Sequence, residues 1–267
     1  MENRQPGSPW GDDLVGFAEA LDRALAVPEL FVHYQPRFSL STDEMCGAEA
    51  LVRWDCPGIG RLPAADFVHL AANEGAICRV DEVVLEQVCR QLGEWEAREA
   101  LPPCFWVAVN IAGQDLADPG FPERVAAAIE RHGTSPGRLR LEQVSWARAP
   151  DHGMAPKAWG ALHDLGVGVD LDYFGVGFTS LSELKRKPGR AGIPWYFSDP
   201  KDKGDGRVVA STVGLFHTLG VLAVAKRVET ASALNWLKDL GCDEGQGFYL
   251  GRPASPAVLE GLLRSAL

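Results

Sequence analysis

FWVAVNI (105–111), RLRLEQV (138–144) and VGVDLD (167–172) are short β-rich runs that each give out at an amide or a carboxylate, Asn110, Glu142 and Asp172. Their polar ends are separated by 32 and 30 residues, close to one strand, one helix and two loops each time. Further β-rich runs lie at 30–35, 46–52, 221–225 and 243–249, with helical patterns between them. Leu14, Phe17, Ala18, Leu21 and Leu25 mark an amphipathic helix that stops near Pro28. Val80, Val84, Val88, Leu92 and Trp95 form a second apolar stripe, and a helix over 231–240 ends at Gly241, a C-terminal cap position. Repeated strand and helix units imply parallel pairing. About eight such units without a long Gly/Ser or Pro linker predict a single α/β domain, a (β/α)8 barrel over 14–267, preceded by a flexible polar segment, 1–13. The weakest stretch is 186–206, where only Ile193 to Phe197 offers a strand; Trp195, Tyr196 and Phe197 there suit either an interface or a buried strand.

Composition narrows the function. The 267 residues are 46% hydrophobic and 23% charged, which excludes disorder and collagen-like repeats. A net charge of −10 has the wrong sign for neutralising the phosphates of DNA or RNA. The apolar runs are short and broken by charges and the first thirteen residues are polar, so neither a membrane span nor a signal peptide is expected and the cytoplasm is the expected location. The six cysteines contain no C-x-x-C pair and the six histidines show no ligand spacing, which leaves carboxylates and amides to carry any chemistry.

Glu49 in AEALVRW and Gln246 in EGQGF end strands in the same way as Asn110, Glu142 and Asp172. In a barrel these ends converge at the C-terminal mouth, where barrel enzymes keep their sites. Three carboxylates and an asparagine oxygen make a hard, all-oxygen set suited to Mg²⁺ or Mn²⁺. Taken singly, each acidic residue could equally be a helix N-cap or a solvated loop end.

From about residue 28 to 265 the chain resembles the bacterial EAL domain, the cyclic di-GMP phosphodiesterase barrel. The resemblance runs through HYQP (33–36), GAEALVRW (47–54), PAADFVHLAANEG (63–75), VAVNIA (107–112), LRLEQV (139–144), VDLDYFGVGFTSL (169–181), VLAVAKRVET (221–230) and GCDEGQGFYLGRP (241–253). It implies a TIM-like barrel whose first strand runs antiparallel, with an elongated dinucleotide across the mouth. It further implies metal ligation by Glu49, Asn110, Glu142 and Asp172. Gln35, Leu51, Arg53 and Gln246 match positions around the ligand or a metal-bound water, alongside Glu49 and Asp172. Arg53 brings a guanidinium that can fork onto a phosphodiester.

The chain departs from the family pattern at its catalytic positions. The family's DDFG reads Asp172-Tyr173 here, its KID lysine falls at Ile193, its EITE becomes EQVS (142–145), and its AEGVET becomes AKRVET, which puts Lys226 where a metal-associated glutamate stands. Lys226 could instead serve as a fixed cation paired with Glu49 or Asp172. These substitutions point to a catalytically inactive EAL-like regulator, either a cyclic di-GMP receptor or a protein-binding module; the alternative is a weak metal-dependent phosphodiesterase. One Mg²⁺ or Mn²⁺ ion belongs to the nucleotide readings and none to a purely protein-binding one. A protein partner and a homodimer are the other expected associations.

Overall fold

The computed structural model describes residues 9–11, 13–144, 155–174, 184–186, 188–193 and 203–266. The first helix, α1 (Leu14–Ala26), is capped by Asp13, whose carboxylate accepts the Gly16 amide at 2.9 Å, and buries Phe17, Ala20, Leu21 and Ala24. Just ahead of it, Trp10 stacks on Trp54 at 5.7 Å between ring centroids and meets the edge of Phe17.

The strands β1 (Leu30–Ser39) and β2 (Met45–Cys56) follow, then β3 (Gly60–Pro63) and the short helix α2 (Val68–Asn73). Next come α3 (Ile77–Ala97), β4 (Trp106–Ile111), α4 (Gly113–Ala117), α5 (Phe121–His132), β5 (Leu139–Gln143), α6 (Ala155–Asp164) and β6 (Gly168–Leu171). The chain continues through β7 (Arg190–Ile193), α7 (Lys203–Thr218), β8 (Leu222–Ala225), α8 (Ala231–Asp239), β9 (Glu244–Gly245) and α9 (Pro256–Ala266). Among the described residues, no helix is long and apolar enough to cross a membrane.

The sheet order is β1-β9-β8-β7-β6-β5-β4-β2-β3, and β1 also pairs with β2, which closes eight strands into a barrel and leaves β3 outside as a hairpin extension. Pairing from β2 through β4 to β9 is parallel, as the repeated units predict. The first strand is the exception: β1 is antiparallel to both β2 and β9. Only Leu40–Glu44 separates β1 from β2, enough for a hairpin and far too little for the crossover that parallel strands require. The barrel is therefore TIM-like with an antiparallel first strand.

Two strand boundaries differ from the sequence expectation. The strand expected at Ile193–Phe197 begins earlier, at Arg190, and is described over Arg190–Ile193; Pro194, Trp195, Tyr196 and Phe197 lie outside the described residues. The run 243–249 keeps only Glu244–Gly245 as strand, since the chain then turns and packs Gly247 against the backbone of Val228.

Below the mouth the barrel is filled by charge stacked on an aromatic ring. Trp106 sits in register with Gly47, where a Cβ would come within 2.5 Å of the indole. Around that ring lie the guanidinium groups of Arg37, Arg140 and Arg190, at 5.2, 5.7 and 4.4 Å from it. Arg140 forks onto Asp170 and Arg190 reaches Glu244, so two of these buried cations have their own carboxylates. The third, Arg37, reaches upward into the site.

Candidate functional site

Strand register brings the polar ends together. On the hairpin Gln35 lies opposite Glu49; Glu49 is beside Ala108, two residues before Asn110, and Asn110 is beside Glu142. Glu142 in turn is beside Asp170, two residues before Asp172. A two-residue step keeps a side chain on the same face of a strand, and such steps are the stagger of a closed barrel, so all five point into one mouth.

The mouth holds a cavity of about 510 Å³. Gln35, Glu49, Leu51, Arg53 and Asn110 line one side of it; Asp172, Tyr173, Lys226 and Gln246 also line it. Two sequence-derived positions do not reach the cavity. Glu142 is buried in the floor beneath it, and Ile193 is the buried last residue of β7, in register with Ala225.

The floor is a continuous polar network. The Lys226 ammonium donates to Glu142 and to Asp172, and stands 3.8 Å from Glu49. Arg37, which sequence reasoning missed, donates to Glu142 at 2.9 Å and to Gln246 at 3.0 Å, and lies 3.7 Å from Glu49. The Gln246 amide donates to Glu49 at 2.9 Å and to Gln35 at 3.2 Å, while the Asn110 amide donates to the other Glu49 oxygen at 2.7 Å. Three carboxylates thus face two cations, and both oxygens of Glu49 and of Glu142 and one oxygen of Asp172 accept.

The electrostatics follow from burial and pairing. Burial opposes ionisation of Glu142, but Lys226 and Arg37 outweigh it and hold its carboxyl down at about 2. Burial is also the strongest influence on Asp172 and, aided by Glu142 and Glu49 against the pull of Lys226, pushes that carboxyl up to about 7. Desolvation works against the Lys226 charge, yet Asp172, Glu142 and Glu49 together raise its pKa well above the ordinary lysine value. Lys226 is therefore a permanent cation. The Tyr173 ring packs over it, 5.3 Å from ammonium nitrogen to ring centroid, and burial raises that phenol as well.

Arg53 is half-buried at the cavity wall, donates to the neighbouring Val52 carbonyl at 2.9 Å, and makes no ion pair among the described residues. An internal salt bridge is thus not what holds it there. Arg252 stacks over Phe248 at 4.5 Å, and Phe248, which lines the cavity, is 51% exposed.

Relatives agree with this geometry. The EAL domain family matches residues 18–253. A bifunctional diguanylate cyclase/cyclic di-GMP phosphodiesterase of Pseudomonas aeruginosa, MucR, is 35% identical over 236 residues, which cover 87% of this chain and 34% of that protein. A cyclic di-GMP phosphodiesterase of the same organism is 30% identical over 250 residues, covering 92% of this chain and 42% of its own length. The chain thus spans well under half the length of these relatives. A solved structure of the MucR phosphodiesterase in complex with c-di-GMP superposes with a TM-score of 0.83 at 33% identity, covering 91% of this chain and 99% of that one. Fold, strand-end residues and ordered motifs concur: the chain belongs to the EAL domain family.

Proposed function

We propose that this EAL domain is a receptor for cyclic di-GMP that binds the nucleotide in the barrel mouth without hydrolysing it and without a divalent ion. The observation that carries the reading is the Lys226 ammonium, which donates to Glu142 and Asp172 and lies beside Glu49. Those are the oxygens that the resemblance assigns to metal. A lysine nitrogen and a divalent ion cannot share them, since both are cations and need the same lone pairs. With Lys226 in place the residues do not fit the ion. Phosphodiester hydrolysis at neutral pH needs a water made nucleophilic and a leaving oxygen stabilised; Tyr173, Ile193 and Lys226 supply neither a general base nor a free electrophile at the mouth.

The recognition half of the site supports binding. Gln35, Leu51, Arg53 and Gln246 converge on the cavity, and a homologous structure carries c-di-GMP. Calorimetric titration with cyclic di-GMP in EDTA should show saturable binding that added Mg²⁺ leaves unchanged, with no product formed under Mg²⁺ or Mn²⁺. Steady hydrolysis abolished by Glu49→Ala would replace this reading by the weak phosphodiesterase. Arg53→Ala should weaken binding more than tenfold, because a charge-assisted phosphate contact is worth about 1.5–3 kcal/mol. Unchanged affinity in the folded variant would make Arg53 a wall residue only.

A further inference from the structure

The floor of the mouth does not attract a phosphate: among the described residues the cations paired with Glu49, Glu142 and Asp172 are Lys226 and Arg37, and both are directed at those carboxylates. An anionic ligand must find its positive charge at the rim. There the backbone shows a strained residue. Arg227 has a φ of 58°, one of three non-glycine residues with positive φ among those described, and it alone of the three lines the cavity. An L-residue is held in the left-handed region only where its surroundings enforce it, and such strain gathers at functional positions.

The surroundings here are explicit. Through backbone groups alone, the Gln246 N–H donates to the Ala225 carbonyl, Val228 to the Gln246 carbonyl and Tyr249 to the Val228 carbonyl, at 2.9, 3.0 and 3.0 Å. This ladder clamps the segment 225–228 against the turn that carries Gln246, so Lys226 is directed into the floor while Arg227, half-exposed, stands at the rim. Its ion-pair geometry with Glu229 is loose, at 3.8 Å.

We infer that Arg227 is a phosphate anchor, the partner of Arg53 across the mouth, and that these two guanidinium groups together hold the two phosphodiesters of a cyclic dinucleotide where no divalent ion does so. The inference rests on the receptor reading above. It explains why a residue with a Cβ occupies a backbone position that glycine would fill without strain.

Titration calorimetry of the full chain with cyclic di-GMP in EDTA, paired with thermal melting, tests it. Arg227→Ala removes the charge and keeps the strain; Arg227→Gly removes both. Each variant should bind about tenfold more weakly, with a shallower dependence on salt. Arg227→Gly alone should also melt about 2 °C higher than the parent, a gain in stability coupled to a loss of binding. Arg227→Lys should recover part of the affinity. If the parent binds and both Arg227→Ala and Arg227→Gly bind as well as it does, the anchor is wrong and the receptor reading stands. If the parent does not bind, the receptor reading fails and takes the anchor with it.

Discussion

Lys226→Met is expected to lower the melting temperature by on the order of 10 °C and to make stability fall steeply as pH rises from 6 to 8. The lysine is 6% exposed and is the shared donor of Glu142 and Asp172, with Glu49 close by. Its removal leaves three buried carboxylates to Arg37 alone, and an uncompensated buried charge costs about 3–5 kcal/mol. The protein can escape part of that cost by protonating. Asp172 already holds its proton up to about 7 in the presence of Lys226, because burial dominates. Without the ammonium the floor carboxyls rise further, the native state binds protons that the unfolded state does not, and stability declines as pH increases. Millimolar Mn²⁺ should raise the melting temperature of Lys226→Met and leave that of the parent unchanged, since the variant frees the Glu142 and Asp172 oxygens that the ammonium occupies and removes its repulsion of a second cation. A variant that melts within about 2 °C of the parent at both pH values would show that the lysine is not the counter-ion of the floor.

How far this site could be read in advance depended on which physical rule was local. The strand ends Asn110, Glu142 and Asp172 were legible because parallel strands in register need nothing beyond their spacing to bring them together. The antiparallel first strand was not readable from strand and helix alternation, and came only with the family resemblance. Its physical sign is the five-residue link between β1 and β2. Arg37 is not legible in the sequence because the β-rich run 30–35 stops at Gln35, before Pro36, a residue that usually ends a central strand. Here Pro36 is tolerated: β1 pairs with β9 only at Phe38 and Ser39, so the edge beside Pro36 has no ladder to break. Once the strand is extended, period two puts Arg37 on the same face as Gln35, under the mouth. The pairing of Lys226 with Asp172 follows from the sequence, whereas its second partner Glu142 does not, since Glu142 lies a layer below the cavity wall.

If the receptor reading holds, Tyr173→Asp combined with Lys226→Glu should give the floor a divalent-ion site, raising Mn²⁺ affinity by two orders of magnitude or more, about 3 kcal/mol. The exchange replaces a neutral and a positive group by two carboxylates. Such a gain requires that the scaffold hold these positions in place, and the backbone around them is pinned on both sides. The Asp172 amide donates to Gln143 at 3.0 Å and the Phe174 amide to Gly192 at 2.9 Å, which fixes residue 173 between β5 and β7. Residue 226 follows Ala225, whose carbonyl is held by Gln246 and which is in register with Ile193. On the receptor reading, charge rather than the path of the chain is what keeps a divalent ion out of this mouth. The double variant should be less stable than the parent in EDTA, because its added carboxylates repel Glu49, Glu142 and Asp172, and should recover stability as Mn²⁺ is titrated. Calorimetry reads the affinity and melting reads the coupling, and neither depends on turnover. A folded double variant that gains no Mn²⁺ affinity would place the cause in geometry, with β7 and the chain after Ile193 as the part of the barrel to examine first.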